Sequence, residues 1–538
     1  MTILKIIILV IFEAFLVLSY MWIKPKKTAL FKNIIYILLQ VVIITWFLPA
    51  SYFSEGELVE LEMNRIGFFD FFQLLFGSFQ FQYFIQILLL LVSIGALYGV
   101  LGTTGKYRAW IEKVANKFKR KEILFLIIVA TVLALLTSVV DFGFTLFIFI
   151  PAIISIILAM GYDKITAILA TFGAMIIGSL GATYNENIVG SINAQITDAT
   201  YTTGIIFKIA LLVLSLAALI FFLSKSKINK TKAEEKKIEK KEDKKEAKRS
   251  SKKEDKKEIK VEVKEEIKNE SIHDMFIGEK TSNKYPVWPI YTILIVIFII
   301  LILALTPWTN FNINLFTNIH TKVTEFTLSD ISFLGKWLKD AEFASEPFFG
   351  SILGTITEFG TWYYAEMAVI CLIAAVVIGK IYGKKIYEIF TSMSEGAIKM
   401  LKPALMIILA YTVVYFVGNT YSFSMIADKI LSITKNFNIF TTSIVSLLGS
   451  VLHVDMVYVT NYVLPQTLGT FAGHNNLVAL ITQSMHGVAM FIAPTSTLLL
   501  LGLTYLDIPY KDWIKKTWLL PLVLLAISLV VIIVSTLI

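Results

Sequence analysis

Two polar runs interrupt long apolar stretches of the chain. In "GATYNENIVG" the residues Thr183, Tyr184, Asn185 and Glu186 follow closely on Gly181, and in "IAPTST" the residues Thr495, Ser496 and Thr497 follow Pro494. Glycine permits the backbone to unwind and proline removes a donor and forces a break, so both runs are places where a helix opens. The carbonyl, hydroxyl and amide oxygens freed in this way are ligands for a hard cation such as Na+, with Thr183, Asn185, Thr495 and Ser496 as the nearest set, while a half-helix N-terminus attracts a carboxylate. Titratable groups within apolar segments add a second chemistry: Asp141 in "TSVVDFGF", His453 and Asp455 in "GSVLHVDMVY", and His486 ahead of the second run. Such groups are costly in hydrocarbon and mark substrate contact or charge coupling. Glu13 and Glu366 also lie in predicted spans, and no role is assigned to them.

The elements that must hold these residues follow from composition. The 538 residues are 56% hydrophobic, and mean hydropathy is +0.73, too apolar for a soluble chain of this length. Runs long enough to cross the hydrocarbon core recur, so the expectation is an all-α polytopic membrane protein. Candidate spans are Ile3–Ile23, Ile34–Phe53, Phe81–Leu101, a pair of short segments within Ile123–Met160, a broken span Lys164–Ala194 and Thr203–Leu223. Beyond a linker come Val287–Pro307, Thr361–Ile381, Leu401–Gly418, a second short pair within Ile439–Leu464, a broken span Leu477–Leu503 and Trp518–Leu537. The first span has no cleavage signal before "KPKK" and is expected to be retained. Lys225 to Glu270 carries 19 basic and 13 acidic residues and little to bury, which makes it a solvated linker.

The net charge of +9 gathers in loops beside apolar segments, where the positive-inside rule places it, and implies no nucleic acid. The lone Cys371 excludes an intramolecular disulfide, and no cofactor or bound metal beyond a coupling Na+ or H+ is expected. By the same charge rule the linker is cytoplasmic and both termini lie outside, in a multi-pass protein of the cell membrane. The organisation read from this is a first transmembrane repeat over 1–224, the charged linker over 225–284 and a second repeat over 285–538. Laying Gly161 over Gly473 superposes the apolar positions of the two broken spans, brings "ATYN" onto "PTST" and sets the Asp141 region against His453 and Asp455. Two inverted-topology repeats, each with a re-entrant helical hairpin and a broken transmembrane helix, point to a midplane site.

Five stretches resemble the YfcC-like transporters, relatives of the anaerobic four-carbon dicarboxylate carriers in the ion-transporter group. They are "TWFLPASYF" at Thr45, "GALYGVLGTTG" at Gly95, "MGYDKITAILATFGAMIIG" at Met160, "WYYAEMAVICLIAAVVIGKIYGKKIYEIFTSMSEGA" at Trp362 and "QSMHGVAMFIAPTSTLLLLG" at Gln483. The resemblance implies a scaffold region, a moving transport region, elevator-like alternating access and a substrate held between hairpin tips and broken helices. The chain departs from the family pattern where Glu186 follows Asn185, where Phe144 and Thr145 replace acidic residues, and where Met485, His486 and Gly487 precede "APTS".

The function expected is a secondary active transporter or exchanger for a small carboxylate-bearing metabolite, coupled to Na+ or H+. An amino acid, basic ones included, is favoured over a four-carbon dicarboxylate, because none of the four Arg lies in an apolar segment to clamp a dianion. A lipid bilayer and a small-molecule substrate are the partners implied, and a homodimer is one assembly open to it. Two other classes compete: an ion channel, and an intramembrane aspartyl protease using Asp141 with Asp455, whose surroundings lack a glycine-flanked motif. Neither an enzyme nor an ATP-driven pump is favoured, the latter because no Walker motif is present.

Overall fold

The computed structural model describes residues 29–54, 57–140, 142–197, 199–226, 272–278, 284–337, 346–349, 357–434 and 436–537, with four positions between 14 and 19. Most of the expected first span, the bulk of the linker, and Asp141 lie outside the described residues. The rest is almost entirely helical, apart from a hairpin of β1 (Ser51–Ser54) and β2 (Glu57–Glu60). Among the described residues eight helices are long and apolar enough to cross a membrane. A ninth arises if Tyr510–Thr517 and Leu519–Ser535, bent by 55° at Trp518, count as one span.

The first half runs through α1 (Ala29–Phe47), α2 (Phe68–Ser78), α3 (Gln82–Thr103), α4 (Tyr107–Lys117) and α5 (Glu122–Val139). A 3-10 turn (Gly143–Ile148), α6 (Ile150–Ala159), α7 (Lys164–Leu180) and α8 (Ile205–Ser224) complete it. After the linker come a short α9 (Ile272–Ile277), α10 (Trp288–Leu305), α11 (Leu315–Thr324), α12 (Tyr364–Ile381) and α13 (Ile386–Thr420). The chain ends with α14 (Phe423–Leu431), α15 (Ile439–His453), α16 (Met456–Tyr462), α17 (Leu464–Thr470), α18 (Asn475–Ile492), α19 (Thr497–Tyr505), α20 (Tyr510–Thr517) and α21 (Leu519–Ser535). Two differences from the sequence reading have simple causes. The first arm of the expected short pair is a full 18-residue helix, α5, since nothing between Glu122 and Val139 breaks it. Helix α13 begins fifteen residues earlier than expected because its first turns, carrying Glu388, Glu395 and Lys399, are amphipathic and fall outside a hydropathy criterion.

The helices pack as two groups. Helix α3 lies against α12 and α13, with α1 and α2 on the flank of α13. Small residues set that contact: a Cβ added at Gly99 would meet the Ser392 carbonyl at 2.2 Å, and one at Gly95 the Gly396 carbonyl at 2.5 Å. Such close approach of backbones is how helices associate where lipid removes the usual hydrophobic drive. The second group joins α5, α7 and α8 to α15, α18 and α21. Its rim faces hydrocarbon, with Ile206, Val213 and Phe221 of α8 and Leu522, Val530 and Ile533 of α21 exposed.

Both halves follow one order of elements around these helices. An apolar helix ends at a polar tip, short helical segments follow, and a turn at Gly161 or Gly473, both with positive φ (99° and 91°), leads into a long buried helix that breaks and resumes.

Candidate functional site

Each break is tied to the end of the helix before it. Ser138 lies in the last turn of α5; its carbonyl accepts from the backbone N–H of Thr183 at 2.8 Å and from the Thr183 hydroxyl at 3.3 Å, and its own hydroxyl donates to the Gly181 carbonyl at 2.8 Å. In the second half the Thr495 hydroxyl donates to the Val451 carbonyl, near the end of α15, at 2.7 Å. Thr183 and Thr495 are the residues that the sequence register superposes. Their bonds satisfy helix-end carbonyls that would otherwise be orphaned at membrane depth.

Asn185 is 1% exposed and fully engaged: Nδ2 donates to the Thr137 carbonyl at 2.8 Å, while Oδ1 accepts from the N–H of Ile188 at 3.1 Å and caps the turn Glu186–Gly190. The two broken helices cross where Gly487 of α18 meets Leu180 of α7, a Cβ at Gly487 falling 2.4 Å from the Leu180 Cβ. Gln483, one turn earlier, donates from Nε2 to the carbonyls of Leu180 and Ala182 at 3.2 and 2.9 Å.

At the second tip Val454 adopts φ 62°, a conformation that a β-branched residue takes only under constraint, and Asp455 caps α16 through Oδ1. The other carboxylate oxygen of Asp455 accepts from the Tyr83 hydroxyl of α3 at 3.1 Å and from the Tyr411 hydroxyl of α13 at 2.9 Å. Thus a carboxylate of one helix group is held by two phenols of the other.

Asn185, Asp455, Tyr83 and Tyr411 border a cavity of about 100 Å³, whereas Thr183, Thr495 and Ser496 are not among the residues that line it. From around the first break come Ser179, Asn185 and Asn187, from the second Thr497, and from the tips Asp455, Phe144 and Gly143; His486, Thr137, Tyr83, Tyr364 and Tyr411 also line it. Among the described residues that border it, neither Lys nor Arg occurs, and Asp455 is the one carboxylate. The Nδ1 of His486 is buried with no hydrogen-bond partner, and so is the hydroxyl of Ser496. Among the described residues the cavity is therefore lined by one carboxylate, two side-chain amides of which Asn185 is already committed to backbone, several hydroxyls and the imidazole of His486.

The remaining expected residues sit elsewhere. Glu186 is exposed and bonded to the Tyr201 hydroxyl and to Asn310 Nδ2, the latter at 2.6 Å. Burial, and then the bond to Glu186, raise the Tyr201 hydroxyl above its ordinary value. Tyr184 stacks on Tyr201 at 5.7 Å and packs on Phe311, away from the cavity. Pro494 forms the second break beside Thr495 without bordering the cavity. His453 is buried, bonded through Nδ1 to the Gly449 carbonyl at 2.9 Å and stacked on Tyr462. The sequence reading had no signal for Tyr83, Tyr364 and Tyr411, since tyrosines in apolar helices are common and their distance in sequence from Asp455 hides the contact.

A buried polar cavity between interrupted helices, within a chain that crosses the membrane many times, defines a membrane transport protein. The chain matches the model of the C4-dicarboxylate anaerobic carrier family over residues 28–537, and it belongs to that family; it is a transporter and not an enzyme. Among solved structures it is similar to the crystal structure of the YdaH transporter of Alcanivorax borkumensis, at 14% identity over 95% of this chain and 98% of that one, with a TM-score of 0.38. None of the curated proteins compared with it matches.

Proposed function

We propose that the chain is a secondary carrier, coupled to Na+ or H+, which binds a small carboxylate-bearing metabolite in the cavity bordered by Asp455, Asn185, His486 and Thr497. The observation that carries this is the charge of the cavity: among the described residues its walls hold one carboxylate and no Lys or Arg. A dianion would meet no cation there, whereas an ammonium group finds Asp455 and a carboxylate finds hydroxyls and the N-terminal ends of half-helices. An amino acid, basic ones included, is thus favoured over a four-carbon dicarboxylate. The family description supports the dicarboxylate as the second reading, with the unpartnered His486 as the group that would take up a proton to receive it.

The matched ties of Thr183 and Thr495 support two repeats of inverted topology, divided by a cytoplasmic linker. The division of the helices into two groups supports an elevator-like movement, with α3, α12 and α13 as the fixed part and the tips and broken helices as the moving part. For a coupling Na+, the hydroxyls of Thr183 and Thr495 keep lone pairs while donating, and the free Ser496 hydroxyl lies beside them in sequence.

A thermal-shift screen of amino acids and four-carbon dicarboxylates, with and without Na+, tests the reading on wild type and Asp455→Asn. An amino acid should stabilise the wild type and lose most of its effect in the variant. A dicarboxylate that stabilises both equally overturns the preference.

A further inference from the structure

A second cavity, of about 270 Å³, lies between the first turn of α8 and the N-terminal half of α18, at the end of α8 remote from the linker. Its walls are mainly apolar, with Ile192, Ile196, Phe207 and Leu480 among them, yet Lys208 and Gln483 also border it. Lys208 is 8% exposed and, among the described residues, has neither an ion-pair nor a hydrogen-bond partner from its side chain. An unpaired ammonium in an apolar wall is expensive unless an anion joins it.

Gln483 fixes the rest of the ligand's chemistry. Its Nε2 is committed to the carbonyls of Leu180 and Ala182, which sets the orientation of the amide and leaves Oε1 buried without a donor. The N-terminal half of α18 adds a positive helix end on the same side. We infer that this cavity is a binding site, separate from the Asp455 cavity, for a single oxyanion with a hydroxyl or ammonium donor beside it and an apolar body. The oxyanion pairs with Lys208, the donor meets Gln483 Oε1, and the body lies on Ile192, Ile196 and Phe207. Asn193, Thr203, Asn476 and Ser535 also border the cavity, but among the described residues Lys208 is the one cation on its walls, so a second negative charge would meet no second cation. A 2-hydroxy or 2-amino monocarboxylate has this chemistry, and so does the phosphodiester and glycerol of a lipid headgroup. A wider hollow of about 460 Å³ shares Ile196, Thr203 and Asn476 with the cavity and gives an approach to it. Because Gln483 also holds the carbonyls at the end of α7, an occupant of this site bears directly on the first break.

The test uses the purified full-length protein in detergent, with 2-hydroxyhexanoate, its uncharged amide, and dihexanoylphosphatidylglycerol as probes, read as thermal midpoint against concentration. We expect saturable stabilisation by 2-hydroxyhexanoate, weaker by about tenfold or more for the amide and for Lys208→Met, as loss of a charge-assisted bond requires. Lys208→Arg should retain it within about threefold, and Asp455→Asn should leave it unchanged, which separates this site from the first. Stabilisation that depends on Lys208 but comes only from dihexanoylphosphatidylglycerol assigns the same site to a lipid headgroup. No shift with either anion, or equal shifts in wild type and a folded Lys208→Met, overturns the proposal.

Discussion

Asp455 and Asn185 border one cavity, but their environments assign them different work. Asn185 has every polar side-chain atom committed to backbone, so its first contribution is to hold the break against α5. Asn185→Ala removes a cap and leaves the Thr137 carbonyl unpaired, and should lower stability by about 1–3 kcal/mol, seen as a fall in thermal midpoint without ligand. Asp455 instead faces two hydroxyls that arrive from another helix group and can exchange for a substrate's donors. Tyr411→Phe should therefore leave the fold nearly intact, at a loss of about 1–3 kcal/mol, while changing apparent substrate affinity more than Asn185→Ala does. Ligand titrations of the two variants by thermal shift give the comparison. Lys208 lies within the expected span Thr203–Leu223 but was not singled out from sequence, because its significance depends on burial.

At the scale of elements, the breaks were legible because glycine and proline act locally: Pro494 and the run from Gly181 to Asn185 open the chain where the sequence places them. The crossing of the broken helices was not legible, since it rests on Gly487 meeting Leu180 across about 300 residues of chain. Gly487→Leu should push α18 from α7, lowering the thermal midpoint by the equivalent of about 1–3 kcal/mol or more, and should reduce substrate stabilisation with it. The short helix α9, beyond the linker, gives a pH prediction. His273 is buried against Ser155 of α6 and Tyr505 of α19, with Nδ1 at 3.4 and 3.5 Å from their hydroxyls. Burial draws its pKa down to about 4; Lys164 acts the same way and Asp274 opposes. The folded value is depressed below the free value near 6.5, so docking of α9 is at full strength above about pH 6.5. It weakens as pH falls from there towards about 4, by up to about 1.4 kcal/mol per unit. Protection factors over Ile272–Ile277, referred to the intrinsic exchange rate at each pH, should fall as pH drops across that window in wild type and not in His273→Phe.

For the whole molecule, Asp455 faces Tyr83 and Tyr411 of the opposite helix group, and the proposal is that substrate is held there. Membrane class followed from hydropathy, whereas α5 was expected as a short segment and is a full span. The pairing of α3 with α12 and α13 did not follow from hydropathy, because GxxxG-type contacts such as Gly95 and Gly99 with Gly396 become visible only once helices are placed. The most direct measurement is counterflow in proteoliposomes loaded with unlabelled amino acid, following entry of the labelled species for wild type and Asp455→Asn. Saturable counterflow of at least one amino acid is expected, falling by about a hundredfold in the variant, as loss of a buried charge partner implies. Counterflow of a four-carbon dicarboxylate alone, undiminished in Asp455→Asn, would contradict the proposal.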